Sequence, residues 1–476
     1  MAGLFVAALL FCFWRVLAPS VVFFAPDAPI EPLTFGESLR RLFTSPPTLQ
    51  GLVGLFPFGF SYEGTFWVDA GVMCLAGLFL LRSRGLSWGA AWIGGFAAAF
   101  AGYFFTLFCA GHRGVVDALA VTCLAFGILF RAIQTLRWRW FASLGLVLAF
   151  GLGAQADIWL LVVLAVVAYG GWLAVRERPS AGRLVVGLAG TVLVFLLVGA
   201  PALVHTFGTA RETRQTQLAQ AGAAEDSPEA AWMFSTDWSL PPEELKEWLI
   251  PGSLGATSYP FDPNPYSGRM GSRVQVLRQH TIHVGLPALT LAVLACVLFV
   301  AGRRKEGASV EPWRRDLLFW LGLASITLVF AFGRFTPVYR AVWQLPFIHE
   351  MRAPVKWLHL TGFAVAMLAG CGAEPLLRRA GQGAAVLLCG FVAFWGAWVA
   401  KPYVFPWNLD PDGVLSSLPS GTRVCSRMPG LDAWLRSLGL EPVSWSREAD
   451  VAILGVLPDG SGALHLTICP LKGAVQ

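Results

Sequence analysis

Carboxylates stand in the segment that follows the first apolar run of the chain. Asp27 lies within the stretch Val22-Phe-Phe-Ala-Pro-Asp-Ala-Pro29, and Glu31 and Glu37 come shortly after it. A carboxylate in such a position can serve as a general base that accepts a proton from a hydroxyl group. The alternative is a solvated loop residue without chemistry. We interpret Asp27 as the first candidate for a catalytic base and Glu31 as the second. Whether a divalent cation binds between these acids is left open.

Cationic and imidazole side chains collect at the predicted junctions between outer segments and helices. These candidate binding residues are His112, Arg113, Arg278, His280, His283, Arg352 and Lys356. Arginine suits a phosphate group because its planar fork donates to two oxygens at once. The set therefore indicates either a binding site for a phosphate group or the anchoring of lipid head groups at the membrane surface.

Three further acids, Asp69, Asp117 and Asp157, fall near the predicted outer ends of helices. An ionised carboxylate at membrane depth is costly, so such residues are usually paired or functional. Each of the three therefore predicts either a structural ion pair or a part of the site. No Cys/His metal spacing, phosphate-binding loop, dinucleotide fingerprint or nucleophile elbow occurs in a credible context.

The composition indicates which elements must position these side chains. Of 476 residues, 56% are hydrophobic and only 13% are charged, and the mean hydropathy is +0.61. A soluble domain carries about 25% charged residues, so this composition excludes a soluble enzyme and a disordered protein. Long apolar runs also argue against a membrane barrel, whose strands alternate. We therefore predict an all-α polytopic membrane protein, in which helices satisfy their own backbone hydrogen bonds.

Eleven apolar segments are long enough to predict membrane spans. They are 3–24, 65–82, 87–110, 114–132, 139–155, 157–175, 183–208, 284–302, 316–333, 357–377 and 383–400. Fifteen basic residues lie in five alternate short loops, within 82–84, 131–139, 176–183, 303–315 and 378–379. Because basic loops face the cytoplasm, we predict an inner N-terminus and an outer C-terminus. The net charge of +6 thus reflects topology, and no nucleic-acid partner is expected.

The predicted topology divides the chain into two parts. Residues 1–400 form a transmembrane domain with long outer loops at 25–64, 209–283 and 334–356, and residues 401–476 form a small extracytoplasmic α/β module. Within the second loop, Trp238–Ile250 is predicted as a short helix capped by Ser239. The module is predicted to hold strands at 451–456 and 464–468 and a helix at 431–440. Its two cysteines, Cys425 and Cys469, are candidates for a disulfide if the module lies outside the cytoplasm.

Several stretches resemble the YfhO-like family of bacterial membrane proteins, which is grouped with the GT-C class of glycosyltransferases. The resemblance begins with Val22–Pro29 after the first helix and with Gly111-His-Arg113. It continues with Trp238-Ser-Leu-Pro-Pro-Glu-Glu244, Leu249-Ile-Pro-Gly252 and Pro265-Tyr-Ser-Gly268, and with His283-Val-Gly-Leu-Pro-Ala-Leu289, Phe332-Gly-Arg-Phe-Thr-Pro-Val-Tyr339 and Met351-Arg-Ala-Pro-Val-Lys-Trp357. The stretches are scattered over residues 20–357, and their order matches the family.

The resemblance implies a GT-C-like fold and an inverting transfer of a sugar from a polyprenyl-phosphate donor. The acceptor would be a glycan, lipid or protein of the cell envelope, and the protein would lie in the bacterial inner membrane among lipids. Enzymes of this class carry a catalytic acid in the first outer loop, and Asp27 occupies the matching position here.

Two other function classes remain open at this point. A transporter or flippase for a lipid-linked sugar would place acids deep within its helices and would show paired half-repeats. A non-catalytic assembly subunit would keep the fold without a sharp pair of acids. The acids of this chain lie near one predicted face, which favours the transferase over the transporter.

Overall fold

The computed structural model describes most of the helical part of the chain and a few strands. The described residues are 1–13, 21–24, 62–220, 228–236, 238–251, 282–302, 312–345, 348, 351–400, 405–408, 420, 423–426, 441–442, 451–458 and 464–470, with 46, 48, 49 and 52 as single positions. Asp27, Glu31, Glu37, Arg278 and His280 lie outside them.

Helices dominate the described residues. The first nine are α1 (Ala2–Phe13), α2 (Tyr62–Ser83), α3 (Trp88–Ala99), α4 (Gly102–Ala110), α5 (Arg113–Thr135), α6 (Trp138–Ala154), α7 (Ala156–Glu177), α8 (Ala181–Gln220) and α9 (Pro228–Ser235). The next four are α10 (Leu286–Gly302), α11 (Pro312–Ala331), α12 (Pro337–Trp343) and α13 (Leu358–Ala400). Short 3-10 helices span Pro242–Trp248, Gly333–Phe335 and Pro354–Trp357. Helix α13 is broken at Gly381, where φ is 80°, so its two arms correspond to the last two predicted spans.

Five of the described helices are long and apolar enough to cross a membrane. They cover Thr65–Ser83, Arg113–Thr135, Ala156–Glu177, Ala181–Thr206 and Pro354–Gly381. Helices α3 and α4 meet at a bend of 46° and together would form a sixth span. The protein is thus a multi-pass helical membrane protein, whereas the number of eleven spans and the orientation of the termini stay predictions.

The first predicted span, 3–24, is wrong at its C-terminal end. Helix α1 ends at Phe13, and Val21–Phe24 forms strand β1. This strand pairs antiparallel with β2 (Phe405–Asn408). The run Val-Val-Phe-Phe favours a strand because β-branched and aromatic side chains fit a pleated surface. A partner strand from the far end of the chain decided the outcome, and hydropathy alone does not detect it.

Helix α13 occupies the centre of the bundle. It packs against α3, α10 and α11, and also against α1, while α5 packs against α2, α6 and α7. Phe126 of α5 stacks on Phe363 of α13, with ring centroids 5.5 Å apart. This contact joins the helices around α13 to the helices around α5. Helix α8 packs against α6, but only 11% of its most apolar stretch is buried inside the protein. Its exposed apolar surface is suited to contact with lipid.

Four further strands lie near the C-terminus. Their order is β4 (Glu441–Pro442), β3 (Arg423–Ser426), β5 (Val451–Pro458) and β6 (Leu464–Pro470). Strands β5 and β6 confirm the two strands predicted at 451–456 and 464–468. The predicted helix at 431–440 lies outside the described residues, and the organisation of 401–476 as an extracytoplasmic module stays a prediction.

The strand register separates the two cysteines that were candidates for a disulfide. Cys425 and Cys469 both pair with Ala452, from opposite sides of strand β5. Adjacent strands lie about 4.8 Å apart, so the two Cα atoms are about 10 Å apart. A disulfide requires Cα atoms within about 7 Å. The register therefore excludes the pairing that the sequence left open.

Candidate functional site at the predicted outer end

An ion pair between Lys356 and Asp157 lies at the end of the bundle where α7 and α13 begin. Lys356 belongs to the 3-10 helix that precedes α13, and Asp157 belongs to the first turn of α7. The Lys356 Nζ contacts Asp157 Oδ2, and the two side chains are 21% and 25% exposed. Asp157 Oδ1 also accepts from the Ile158 amide at 2.8 Å, as expected for an acid at a helix N-terminus. The pair is therefore anchored in the fold yet open to a ligand.

Two polar rings lie near this ion pair. The ring of His359 lies against Tyr103, with centroids 4.5 Å apart. Asp157, Lys356 and His112 lie within electrostatic range of His359. We call Tyr103, His112, Asp157, Lys356 and His359 the outer cluster. Its members come from α4, α7 and α13, from the 3-10 helix before α13 and from the turn before α5, so the tertiary structure alone brings them together.

His283 lies beside this cluster, at the break between α3 and α4. The Gly102 amide donates to the His283 carbonyl at 2.8 Å. A Cβ atom at position 102 would lie 2.3 Å from His283 Cδ2, so the imidazole fits here only because Gly102 has no side chain. The ring is fully buried, and burial lowers the pKa of His283 to about 4. The imidazole is therefore neutral near pH 7 and offers one donor and one acceptor.

A cavity of about 10 Å³ is lined by both His283 and His359. Its wall also includes Tyr103 and Trp248, the latter from the 3-10 helix Pro242–Trp248 of the second outer loop. Within the part of the chain that the structure describes, the four ring nitrogens of the two histidines and the indole nitrogen of Trp248 have no hydrogen-bond partner. Buried polar groups rarely lack a hydrogen-bond partner unless a ligand or a water molecule supplies one.

Arg113 was predicted as a binding residue and begins helix α5. Its Nη2 donates to Thr65 Oγ1 at 3.0 Å, which ties α5 to the start of α2. Asp69 and Asp117 follow Thr65 and Arg113 by four residues each, and both acids are 1% exposed. Residues four apart share a helix face, so these two acids lie on the same helix faces as the Thr65–Arg113 contact. The predicted position of the acids near one end of the helices agrees with this arrangement.

The second and third outer loops contact each other through backbone hydrogen bonds. The Ala353 amide donates to the Ser235 carbonyl at 3.1 Å, and the Val355 amide donates to the Trp238 carbonyl at 3.1 Å. Arg334 adds bonds from its Nη2 to the Met233 carbonyl at 2.9 Å and from its Nε to the Thr236 carbonyl at 3.1 Å. These bonds pack the two loops on one another, and they hold the segment that carries Lys356.

The predicted helix at Trp238–Ile250 is shorter and begins later than expected. It is a 3-10 helix, Pro242–Trp248, whose N-cap position is Pro241. Ser239, predicted as the cap, donates instead to the Thr236 carbonyl at 2.7 Å and accepts from the Arg334 amide at 3.0 Å. The cap prediction is therefore wrong, because a contact with the third outer loop takes the hydroxyl.

The structure separates the predicted binding residues into three groups. His112, His283 and Lys356 lie in or beside the outer cluster. Arg352 places its guanidinium 4.5 Å from the ring centroid of Phe234 in the second outer loop, and Arg113 contacts Thr65. Asp27, Glu31, Arg278 and His280 lie outside the described residues. The catalytic and phosphate-binding roles of all these residues stay predictions.

Sequence reasoning missed His359, Tyr103, Trp248 and the buried acids Glu244 and Glu247. The signal for His359 was present, because an ionisable residue inside a predicted span is a functional candidate by default. The Glu247 carboxylate accepts from the Ile282 amide at 3.4 Å, and this contact brings the 3-10 helix to His283. Nothing in the spacing of the sequence indicates that contact.

Among the described residues, no group of three or more His, Cys, Asp or Glu side chains is arranged to hold a metal ion. The divalent cation that was left open concerned Asp27 and its neighbours, which lie outside those residues.

A second set of buried charges lies at the opposite end of the bundle. Arg84 pairs with Asp316, with Nε–Oδ2 and Nη2–Oδ1 distances of 2.5 and 3.0 Å. The Tyr169 hydroxyl donates to Asp316 at 3.1 Å, and Glu177 lies 3.5 Å from Arg84. We call these four residues the inner network. Arg84, predicted as a cytoplasmic loop residue, is only 5% exposed, because the chain folds an acid from α11 against it.

Solved structures that are similar to this chain at low identity include the following two. One is the arabinofuranosyltransferase AftD from Mycobacteria, with 14% identity, a TM-score of 0.43, and coverage of 93% of this chain and 31% of AftD. The other is ArnT from Cupriavidus metallidurans bound to undecaprenyl phosphate, with 14% identity, a TM-score of 0.49, and coverage of 94% and 86%.

The chain thus spans about a third of AftD and most of ArnT. At TM-scores below 0.5, neither likeness carries an inference about this chain. No family model matches the sequence, and no curated protein matches it significantly. The resemblance to the YfhO-like family accordingly stays a prediction.

Proposed function

We propose that this protein is an integral-membrane glycosyltransferase that moves a sugar from a polyprenyl-phosphate donor to an acceptor hydroxyl at the outer membrane face. The observation that carries the proposal is the outer cluster. A lysine–carboxylate pair open to solvent on one side adjoins buried neutral rings and a small cavity. Such a site offers a cation that can bind a phosphate group. Beside it, the site offers hydrogen-bonding side chains that can bind an uncharged polar group. The family-like stretches of the sequence support the same activity.

The reaction needs a base and a cation. The acceptor oxygen forms a bond to the anomeric carbon of the donor sugar, and the bond from that carbon to the phosphate oxygen breaks. The electron pair leaves with the polyprenyl phosphate, and the acceptor proton passes to a carboxylate, for which we propose Asp27. A single displacement of this kind inverts the anomeric configuration.

Lys356 is suited to stabilise the departing phosphate. Its ammonium group now faces Asp157, and the partial exposure of both side chains leaves room for a phosphate oxygen to approach. A preorganised cation where negative charge develops is a large source of rate acceleration in enzymes. Arg278 and Arg352 are proposed as further phosphate contacts, and the lipid tail would lie along the apolar helices in the bilayer.

The test of the proposal is the substitution Asp27→Asn in protein reconstituted into proteoliposomes. Asparagine keeps the shape of aspartate but accepts no proton, so transfer from a radiolabelled polyprenyl-phosphate hexose to envelope extract should fall about 10²- to 10⁴-fold. Binding of the donor lipid should stay within about twofold of wild type, because the base does not hold the phosphate.

Glu37→Gln is the matched control, since it removes a carboxylate ten residues further along the same segment. It should keep nearly full activity. A fully active Asp27→Asn protein would remove this residue from the mechanism. A wild-type protein that binds the donor lipid but never transfers the sugar would favour the transporter or the assembly subunit instead.

A further inference from the structure

We propose that His283, His359 and Trp248 form a subsite for uncharged hydroxyl groups, and that its ligand is the sugar of the donor lipid. The identity of the ligand rests on the proposed function. The subsite itself rests on the geometry of the three side chains, and the sequence did not predict a role for Trp248 or His359.

These three side chains line one cavity, and their five ring nitrogens have no hydrogen-bond partner in the described part of the chain. His283 and His359 are 0% and 5% exposed, so bulk water does not supply the missing bonds. A buried polar group without a partner lowers the stability of a fold. Several such groups around one cavity therefore indicate a bound molecule rather than a packing defect.

The chemistry of the nitrogens selects the kind of group that binds. A neutral imidazole carries one N–H and one bare nitrogen, and the indole carries one N–H. The subsite therefore offers three donors and two acceptors. A hydroxyl group or a water molecule can donate and accept, so it can satisfy both kinds of nitrogen. A phosphate offers mainly acceptors and would leave the two bare nitrogens facing its charge.

The charged part of a donor lipid has a different place close by. Lys356 precedes His359 by three residues, one turn away at the start of α13, and its ammonium group is partly exposed. A ligand with its phosphate at Lys356 would extend its next ring toward His359. In the donor lipid a sugar follows the phosphate, and in the protein the neutral imidazoles follow the cation Lys356. The two arrangements therefore match.

The cavity of about 10 Å³ holds about one water molecule, so a sugar enters only if one wall moves. Most of its lining belongs to the packed helices α2, α3, α4, α5 and α13. Trp248, which also lines the cavity, lies at the end of a seven-residue 3-10 helix. Such helices have weaker hydrogen bonds than α-helices. Movement of this segment is the least costly way to enlarge the site.

The experiment compares two probe lipids in nanodiscs: polyprenyl phosphate, and the same lipid carrying glucose or arabinose. Wild-type protein should bind at least one sugar form more tightly than the bare lipid. His359→Leu and His283→Leu should lose about tenfold in affinity for the sugar form, the effect of one lost hydrogen bond, and should bind bare polyprenyl phosphate within about twofold of wild type.

Two further variants separate a binding role from a structural one. Met73→Leu changes an apolar wall of the same cavity and should preserve the preference for the sugar form. His359→Asn keeps a donor and an acceptor and should recover part of the lost affinity. If the leucine variants do not give folded protein, the comparison between wild type and His359→Asn still measures the preference.

The outcomes distinguish the two proposals. Equal losses for both lipids in the histidine variants, or no loss for either, overturn the hydroxyl subsite and leave the proposed transferase standing. A wild-type protein that binds the bare lipid without preference for any sugar form also overturns the subsite. A wild-type protein that binds neither lipid overturns the proposed function, and this inference with it.

Discussion

The inner network and the outer cluster place buried polar groups at opposite ends of the same helices, yet they differ in how those groups are partnered. Arg84 meets Asp316 through two contacts of 2.5 and 3.0 Å, and its guanidinium lies 4.3 Å from the Phe130 ring centroid. In the outer cluster, by contrast, the Lys356–Asp157 pair is partly exposed, and the ring nitrogens of His359 have no hydrogen-bond partner among the described residues.

The difference indicates distinct roles for the two ends. A buried ion pair whose charges face each other is a structural element, costly to break because the remaining charge has no solvent. Polar groups held in a buried position without partners cost stability unless a ligand uses them. We therefore assign the inner network to the fold and the outer cluster to function. Experiments that disturb one end and spare the other test this division.

The largest expected effect comes from the inner network. Asp316→Ala leaves the Arg84 guanidinium buried without its main partner, and the free energy of unfolding should fall by about 3–5 kcal/mol. The measurement is the yield of monodisperse protein and its melting temperature in detergent. Glu177→Gln is the control. Its side chain is 40% exposed, and the loss should stay below about 1 kcal/mol.

A double variant sharpens this prediction. Arg84→Met combined with Asp316→Leu removes both charges, and well-packed apolar replacements of buried pairs are often neutral or stabilising. Recovery of most of the lost stability would confirm that the unpaired charge causes the damage. A double variant as unstable as Asp316→Ala would show that the network does more than neutralise a charge.

The next effect concerns pH at the outer end. His283 has a pKa of about 4 in the folded protein against 6.5 ordinarily, so the unfolded state binds more protons between these values. The stabilising contribution of the neutral ring is complete above pH 6.5 and declines as the pH falls, by about 3 kcal/mol at pH 4. Melting curves from pH 7.5 to 4 measure it.

His283→Leu provides the comparison for this pH series. Without an imidazole at this position, the difference in melting temperature between pH 7 and pH 4.5 should be smaller than in wild type. Parallel curves for the two proteins would mean that His283 titrates at its ordinary pKa, and the ring would then have access to solvent or to a counter-charge.

The smallest predicted effect also concerns the outer end. Gly102→Ala places a Cβ atom where the His283 ring now lies, and overpacking of this kind costs about 1–3 kcal/mol. The thermal stability of the protein should fall accordingly, with a parallel loss of donor binding. Gly71→Ala is the matched helical control, because nothing lies within 4 Å of its added Cβ atom. It should be neutral or stabilising by up to about 1 kcal/mol.

The sequence predicted the apolar helices well because burial in lipid requires long apolar segments, whatever lies beside them. It also placed Asp157 and Lys356 near one end of the bundle. It did not predict that the two residues pair, since they lie in segments 199 residues apart. The error in span 3–24 has the same origin, because Val21–Phe24 became a strand through pairing with Phe405–Asn408.

Arg84 illustrates most clearly that tertiary contacts cannot be predicted from local sequence. Its position in a short basic loop predicts a solvated cation on the cytoplasmic side, and the sequence contains no local acid that would suggest otherwise. The structure buries it against Asp316 and Tyr169. Ionic partners at such distances in the chain are set by helix packing, which local hydropathy does not encode.

The sequence by itself determined that this chain is a helical membrane protein and that its ionisable residues lie mostly near helix ends. That information is local, since hydropathy and charge act on each segment separately. Only the tertiary structure decided which of those residues meet. Gly102 admits His283, Glu247 brings the 3-10 helix to Ile282, and His359 faces the same cavity. These contacts depend on how helices pack and loops cross. Each contact stabilises the fold only when distant segments of the chain have already come together.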